Sequence, residues 1–333
     1  MNIQEILNKL TEGNSLTETE ATFYLNEVMQ GKVPEIHLAG FLTAMKLKTE
    51  TTEELTGFVK AVRQSAVKPS LVRDFPFLDT CGTGGDGKNS LNISTLSALT
   101  LASMSIKVAK HGNRSVSSLC GSSDLLEALG YSFQVDAKTA EERLHKDGFT
   151  FLFAPNWHPA MKHAANVRKT LGMRTIFNLI GPLANPLSPT HQIIGVYHTS
   201  LLERVAKVIS ALGVQRAIVC HSKDGYDEFS LFADTEYILV DGSNLTKKTF
   251  SASELKLKFE ESSITAESKE AAIELAKEVI SGKETGGAHA VALNAGVGLY
   301  LLEKVNSIPS GYQEALKQIL SGELTLFLKK LTS

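Results

Sequence analysis

Residues 79–122 constrain the chain more than any other stretch. An apolar run, Phe75 to Leu78, leads into Gly82-Thr83-Gly84-Gly85-Asp86-Gly87, and Asn92, Ser94 and Thr95 then open a second apolar run from Leu96 to Met104. That order predicts a strand, a glycine loop and a helix N-terminus, where free backbone N–H groups and the positive end of the helix dipole suit an anion. A short apolar run, Ile106 to Ala109, delivers Lys110-His111-Gly112-Asn113-Arg114, followed by the hydroxyls of Ser115, Ser117, Ser118, Ser122 and Ser123. Two strand ends thereby bring phosphate-binding chemistry to one sheet edge. A glycine cluster alone can mark nothing more than a tight turn; the hydroxyl-rich helix start and Lys110 beside it favour phosphate.

Two familiar patterns match the loop and both fail. Gly82-x-Gly84-x-x-Gly87 fits a dinucleotide fingerprint, which needs an acidic residue about 20 positions on to hold a ribose hydroxyl. Here the next strand ends in Lys110-His111, the wrong charge. Gly82 to Lys88 also fits the start of a phosphate-binding P-loop, but Asn89 stands where a Mg-binding Ser or Thr must follow the lysine.

The rhythm around this stretch predicts an α/β protein: a small all-helical domain plus a larger α/β domain with a mostly parallel central sheet covered by helices. Before it, Ile3, Ile6, Leu7 and Leu10, then Ala21, Tyr24, Leu25 and Val28, repeat at helical spacing. Thr17 with Glu20 and Thr51 with Glu54 read as capping boxes, Pro34 as a helix start and Pro69 as a helix stop. After it come helix Asp124–Leu129, strand Phe149–Ala154, helix Pro159–Leu171, strand Ile193–His198, helix Leu201–Leu212 and strand Ala217–Cys220. Residues 241–268 read as a strand or two with mobile connections, and Lys269 to Ser333 as helical. The expected division is 1–72, joined by helices from about 160–185, and 73–333. At 333 residues and 43% hydrophobic content, two cores are affordable.

A formal net charge of −2 gives no bulk attraction to nucleic acid or an anionic membrane. Met1 to Leu10 lacks the basic and apolar regions of a secretory signal, and Ala288 to Leu302 is too short to span a bilayer. The three cysteines, Cys81, Cys120 and Cys220, are odd in number and lack metal spacing, which favours buried thiols in a reducing cytoplasm over a redox or nucleophilic role.

The segments GTGGD (Gly82 to Asp86), NIST (Asn92 to Thr95), KHGNR (Lys110 to Arg114), HPAMKHA (His158 to Ala164), VRKTLG (Val167 to Gly172), FNLIGPLANP (Phe177 to Pro186) and Asp227-Glu228, with the late LNAG (Leu293 to Gly296), resemble the anthranilate phosphoribosyltransferase family in content and order. The resemblance spans the chain. It implies transfer of the phosphoribosyl group of 5-phosphoribosyl-1-pyrophosphate (PRPP) to the amine of anthranilate, the second step of tryptophan biosynthesis from chorismate. PRPP is then expected on Gly82, Gly85, Asp86, Ser90, Asn92, Ile93, Ser94, Thr95, Lys110, His111, Gly112, Asn113, Arg114, Ser115, Val116, Ser117, Ser118 and Ser122. Arg168 and Arg174 are both candidate carboxylate clamps, each with a surface ion pair as its plain alternative. The family pattern places the anthranilate-binding arginine at Arg168, with Asn113, Gly82, His111 and His158 around the same molecule.

Asp227-Glu228 on its own is either a solvated turn or a Mg²⁺ site, since Mg²⁺ takes few carboxylates beside phosphate oxygens and water. The resemblance implies Mg²⁺, two ions per subunit, on Ser94, Asp227 and Glu228. It also implies a homodimer joined through the helical domain; no residue is assigned as general acid or base, and charge and composition argue against a nucleic-acid or membrane partner. A pyrimidine nucleoside phosphorylase-like enzyme and a catalytically silent nucleic-acid-binding relative are the alternatives.

Overall fold

The computed structural model describes residues 1–68, 75–114 and 119–333. It opens with helices α1 (Ile3–Thr11), α2 (Glu18–Met29), α3 (Glu35–Lys48) and α4 (Thr52–Ser65). Both expected capping boxes form. Glu54 also does more than cap. Fully buried, it accepts the N–H groups of Leu16 and Thr51 at 2.7 Å and the Lys48 ammonium at 2.8 Å, which fixes the α1–α2 connection against the start of α4. α4 stops at Ser65, ahead of Pro69, which lies outside the described residues together with the expected boundary at 72/73.

Strand–helix units follow: β1 (Leu78–Gly82), α5 (Ile93–Ser103), β2 (Val108–Gly112), α6 (Ser122–Ala128), α7 (Ala137–Asp147), β3 (Phe149–Phe153), α8 (Ala154–Trp157), α9 (Lys162–Leu171), α10 (Ile176–Leu183), β4 (His191–Gly195), α11 (Leu202–Ala211) and β5 (Arg216–Ser222). The hairpin β6 (Thr235–Asp241) and β7 (Asn244–Phe250) comes next, then α12 (Lys269–Ile280), α13 (Gly286–Leu301), α14 (Ile308–Leu320) and α15 (Glu323–Thr332). The sheet order is β3-β2-β1-β4-β5-β6-β7, with β1 to β5 parallel and the last two strands antiparallel. The mostly parallel α/β sheet read from the sequence is therefore present.

Strand periodicity separates the two larger of three core clusters among the described residues, the smallest being built from Phe77, Ala109, Leu144, Leu152 and Trp157. Ile218, Cys220, Tyr237 and Leu239 face a cluster built with α5, α6 and α12–α15. Ala217, Val219, Ile238 and Val240 face the other cluster, which runs on through α11, α9 and α10 into α1–α4. The helical start thus has no core of its own; it shares one with a sheet face.

Several boundaries differ from the sequence reading, for a physical reason. β1 begins at Leu78, where the apolar run ends, and β2 extends to Gly112. Buried polar residues occupy strand positions: Asp79 and Gln192 are fully buried and Lys110 is 2% exposed. Such residues are normally depleted in strands. α7 was not foreseen because it buries little beyond Ala140, Glu141 and Leu144, although Asp136 caps its first turn at 2.7 Å and Gly148 ends it in the left-handed conformation. Residues 241–268 hold the expected strand, β7, while the connections read as mobile form turns and a bridge from Thr265 to Ser90.

α13, buried along nearly its whole length, touches α14 backbone to backbone at Gly296 and Gly311. A Cβ at Gly296 would collide with the backbone of Gly311 and Tyr312. Gly296→Ala is therefore expected to lower stability by roughly 1–3 kcal/mol in urea unfolding, because overpacking outweighs a helix-propensity gain of about 1 kcal/mol.

Candidate active site

The carboxyl ends of β1, β2, β4 and β5 face a common crevice, where ligands sit in open parallel sheets. β1 and β4 end side by side on Gly82 and Gly195. Both lack a side chain because the turn after β5 crosses directly above them. A Cβ on Gly82 would stand 2.6 Å from Asp227 Oδ2, and one on Gly195 would overlap the Asp227 carbonyl. Asp227 Oδ2 accepts the Gly84 N–H at 3.0 Å, so the glycine loop and the acidic turn are one unit. Behind the turn, the Asn294 amide takes both backbone groups of Phe229 at 2.9 Å. Asn294 belongs to the LNAG segment, whose sequence alone gives it no such role.

Asp86, Asp227 and Glu228 crowd together. Burial and the neighbouring Asp86 carboxylate push Asp227 up to about 7, and burial with Asp227 beside it holds Glu228 well above the ordinary carboxylate range. Among the described residues no three acidic, histidine or cysteine side chains form a ready metal cage. The donor set nonetheless fits Mg²⁺, which keeps water and substrate oxygens, and whose charge would relieve this repulsion. Ser94 sits at the start of α5, and the Lys110 ammonium donates to its Oγ at 3.1 Å and to the Thr80 carbonyl. Lys110 thus approaches the loop from beneath rather than standing exposed at its mouth. Burial lowers its pKa against the pull of Asp79, whose carboxylate in turn is raised by burial and receives His111 N–H at 3.1 Å and Gln192 at 3.2 Å.

The rest of the expected phosphate set borders the same loop. Asn92 caps α5 without a side-chain bond to the helix; its amide instead donates to Cys120 O at 2.8 Å. Asn92 Oδ1 and the Thr95 hydroxyl are buried without partners among the described residues. Ile93 is core. Ser90 bridges to Thr265, and Asp86 accepts the Lys88 N–H at 3.1 Å. Gly112 lies against Ser122, whose hydroxyl donates to the Asn113 carbonyl at 3.2 Å. Arg114 turns outward and pairs with Asp124 and Glu127 at 3.0 Å. Ser115, Val116, Ser117 and Ser118 lie outside the described residues.

Beside the loop, a cleft of about 490 Å³ opens between α9–α10 and the ends of β1 and β2. Gly82, His111, Asn113, His158 and Arg168, separated widely in sequence, all line it. Arg168 has no carboxylate partner among the described residues; its guanidinium lies 5.0 Å from the Phe177 ring, and burial lowers its pKa. Arg174, the other candidate clamp, is not in this cleft. It stacks 4.1 Å above Tyr197 and donates to the Gly85 carbonyl. His111 and His158 meet edge to face at 5.1 Å, and both are buried. Burial drives His111 well below its ordinary pKa and His158 down to about 4, so both rings are neutral at pH 7. Phe177, Pro155 and Met161 form apolar walls, which scattered sequence positions do not announce. Cys81 lies at the cleft floor with its thiol pushed well above the usual range by burial, and Cys120 and Cys220 are likewise buried and raised, which removes them as nucleophiles.

Residues 74–325 match the glycosyl transferase family α/β domain, and residues 4–66 match that family's helical bundle domain. An anthranilate phosphoribosyltransferase of Persephonella marina is 38% identical over 99% of this chain and 98% of its own. The chain belongs to the anthranilate phosphoribosyltransferase family. A crystal structure of the Thermus thermophilus family member superposes with a TM-score of 0.90 at 38% identity, covering 98% of each chain. The Saccharomyces cerevisiae family member, solved with PRPP and Mg, has a TM-score of 0.89 at 27% identity over 99% of this chain and 96% of that one; it has also been solved with 4-fluoroanthranilate.

The buried histidines carry a stability signature. An unfolded chain protonates His158 near 6.5 and the folded one near 4, so its contribution is complete above pH 6.5 and is lost as pH falls toward 4. The raised carboxylates Asp79, Asp227 and Glu228 act with the opposite sign, so the difference between variants is the informative quantity. Urea midpoints from pH 7.5 to 4.5 should fall less steeply for His158→Asn than for the wild type, by on the order of 3 kcal/mol over the range.

Proposed function

We propose that this chain transfers the phosphoribosyl group of PRPP to the amine of anthranilate, releasing pyrophosphate. The observation that carries the reading is the unpaired, half-buried Arg168 in an apolar cleft whose rim is the glycine loop. A flat aromatic acid fills such a cleft, with its carboxylate on a guanidinium that has no carboxylate partner among the described residues. Asn113, which also lines the cleft, would meet the amine side, and the neutral rings of His111 and His158 add walls without a competing charge. Gly82 borders both the cleft and the loop, so the two substrates would meet there.

The phosphates of PRPP are assigned to Gly82, Gly85, Asp86, Ser90, the α5 start from Asn92 to Thr95, and the arm from Lys110 to Ser122. The unpartnered Thr95 hydroxyl and Asn92 oxygen support the helix start, and Ser115 to Ser118 join the set through the family resemblance alone. Asp227, Glu228 and the Ser94 hydroxyl would hold Mg²⁺, two ions per subunit. Bound there, Mg²⁺ would neutralise charge gathering on the departing pyrophosphate. The amine attacks ribose C1 as the bond from C1 to pyrophosphate oxygen breaks, and the amine proton passes to water. An aromatic amine needs no prior deprotonation, so holding the partners together supplies the rate.

The helical part, 1–72 with about 160–185, would also form the homodimer contact; Ile36 at 85% and Leu47 at 82% exposure on α3 support it. No described helix is long and apolar enough to cross a membrane, and three buried free thiols support a cytoplasmic setting.

Loss of anthranilate fluorescence on mixing with PRPP tests the reading. Magnesium-dependent loss is expected. Arg168→Ala should raise KM for anthranilate about a hundredfold and Asp227→Asn should instead weaken Mg·PRPP, since each leaves a ligand charge unmatched. No loss with folded protein, or phosphorolysis of uridine in its place, would overturn it.

A further inference from the structure

Lys88 completes the P-loop-like pattern that Asn89 rules out, and its side chain is engaged elsewhere. Its ammonium lies 3.0 Å from Glu261 Oε1 and 4.8 Å from the centre of the Tyr226 ring. Tyr226 Oη donates to the same Glu261 oxygen at 2.7 Å. The three residues come from separate stretches: the glycine loop, the turn that leads into Asp227, and the 261–266 segment. Tyr226 is buried at 1% exposure, and Gly225, at φ +97°, leaves only 3.5 Å between a would-be Cβ and Lys88 Cε.

Backbone bonds join the same parts. Leu91 N–H donates to Ile264 O at 2.8 Å and Ala266 N–H donates to Asn89 O at 3.0 Å. The 261–266 segment therefore runs alongside the outgoing arm of the loop, with the Glu261 carboxylate at its end.

The geometry points to Glu261 as a positioning residue that clamps the glycine loop to the Asp227-Glu228 turn through Lys88 and Tyr226. An isolated exposed ion pair stabilises little. Here one carboxylate serves a cation and a buried phenol together, so its loss strands the Tyr226 hydroxyl and frees the loop from the turn. Both halves of the Mg·PRPP site depend on that spacing, so the inference rests on the function proposed above. Lys88 in this arrangement is neutralised by Glu261 and turned toward it, which distinguishes it from a lysine that binds phosphate directly.

Steady-state kinetics on Glu261→Gln, Lys88→Met, the double variant and the exchange Lys88→Glu/Glu261→Lys test the clamp. Each single change should raise KM for Mg·PRPP by about five- to tenfold while KM for anthranilate holds, with the double variant no worse than either single. The exchange should recover part of the loss, which a merely structural or a directly phosphate-binding lysine would not allow. A raised KM in Lys88→Met with none in Glu261→Gln, or additive effects in the double variant, would overturn the clamp. Calorimetric binding of pyrophosphate with Mg²⁺ to the same variants reads the clamp without turnover. Weakened binding there supports it, and unchanged binding refutes it, even where the wild type consumes no anthranilate.

Discussion

The passage of the Asp227 backbone over the ends of β1 and β4 is the contact on which the site depends. It requires bare glycine at both strand ends, Gly82 and Gly195, because a side chain on either would occupy the space of Asp227. It also requires something to hold the turn down, and Asn294 does so by taking both backbone groups of Phe229. Asn294 is in turn placed by α13, which reaches its depth through the glycine contact with α14. A sequence of close approaches therefore runs from the C-terminal helices to the acidic pair, and the carboxylates inherit their position from residues that never meet a ligand.

Charge is distributed with the same economy. Asp86, Asp227 and Glu228 repel one another at the loop, while in the neighbouring cleft Arg168 has no acid partner among the described residues. A divalent cation answers the first imbalance and a carboxylate the second. Beneath both lies a buried layer of Asp79, Lys110 and Gln192, in which Lys110 meets Ser94 and Asp79 meets the His111 backbone. That layer ties the geometry of the loop to that of the cleft, since Ser94 belongs to the loop side and His111 to the cleft side.

The fold class was legible because helical and strand periods differ clearly here, and the caps at Thr17 and Thr51 left no ambiguity. The cleft was legible through resemblance: Gly82, His111, Asn113, His158 and Arg168 do converge. Periodicity could not have gathered them, because they come from two strand ends and two helical segments. What escaped was the polar interior of the strands. The sequence reading ends the strands before Asp79 and Lys110, since local preference disfavours both in a sheet, and only tertiary partners show why they are tolerated. Arg174 had the right chemistry for a clamp, but its ring and carbonyl partners, Tyr197 and Gly85, sit far along the chain from it. A strand in 241–268 was legible and is β7, but its connections read as mobile because their polar composition hides backbone pairing with Asn89 to Leu91.

The glycine loop shows why a pattern of glycines underdetermines its ligand. Its conformation could serve a dinucleotide, a nucleoside triphosphate or PRPP; the surroundings decide. Arg174 takes the Gly85 carbonyl, Asp227 takes the Gly84 N–H, and Lys88 is drawn aside to Glu261. With the loop lysine drawn aside, Lys110 buried beneath and Arg174 bound to the Gly85 carbonyl, the acidic charge is gathered on the Gly84 side of the loop, at Asp227. A bare phosphate would be repelled by it, whereas a polyphosphate arriving with Mg²⁺ would not. On the proposed function, the selectivity of the loop would reside in the carboxylates beside it rather than in the glycines themselves.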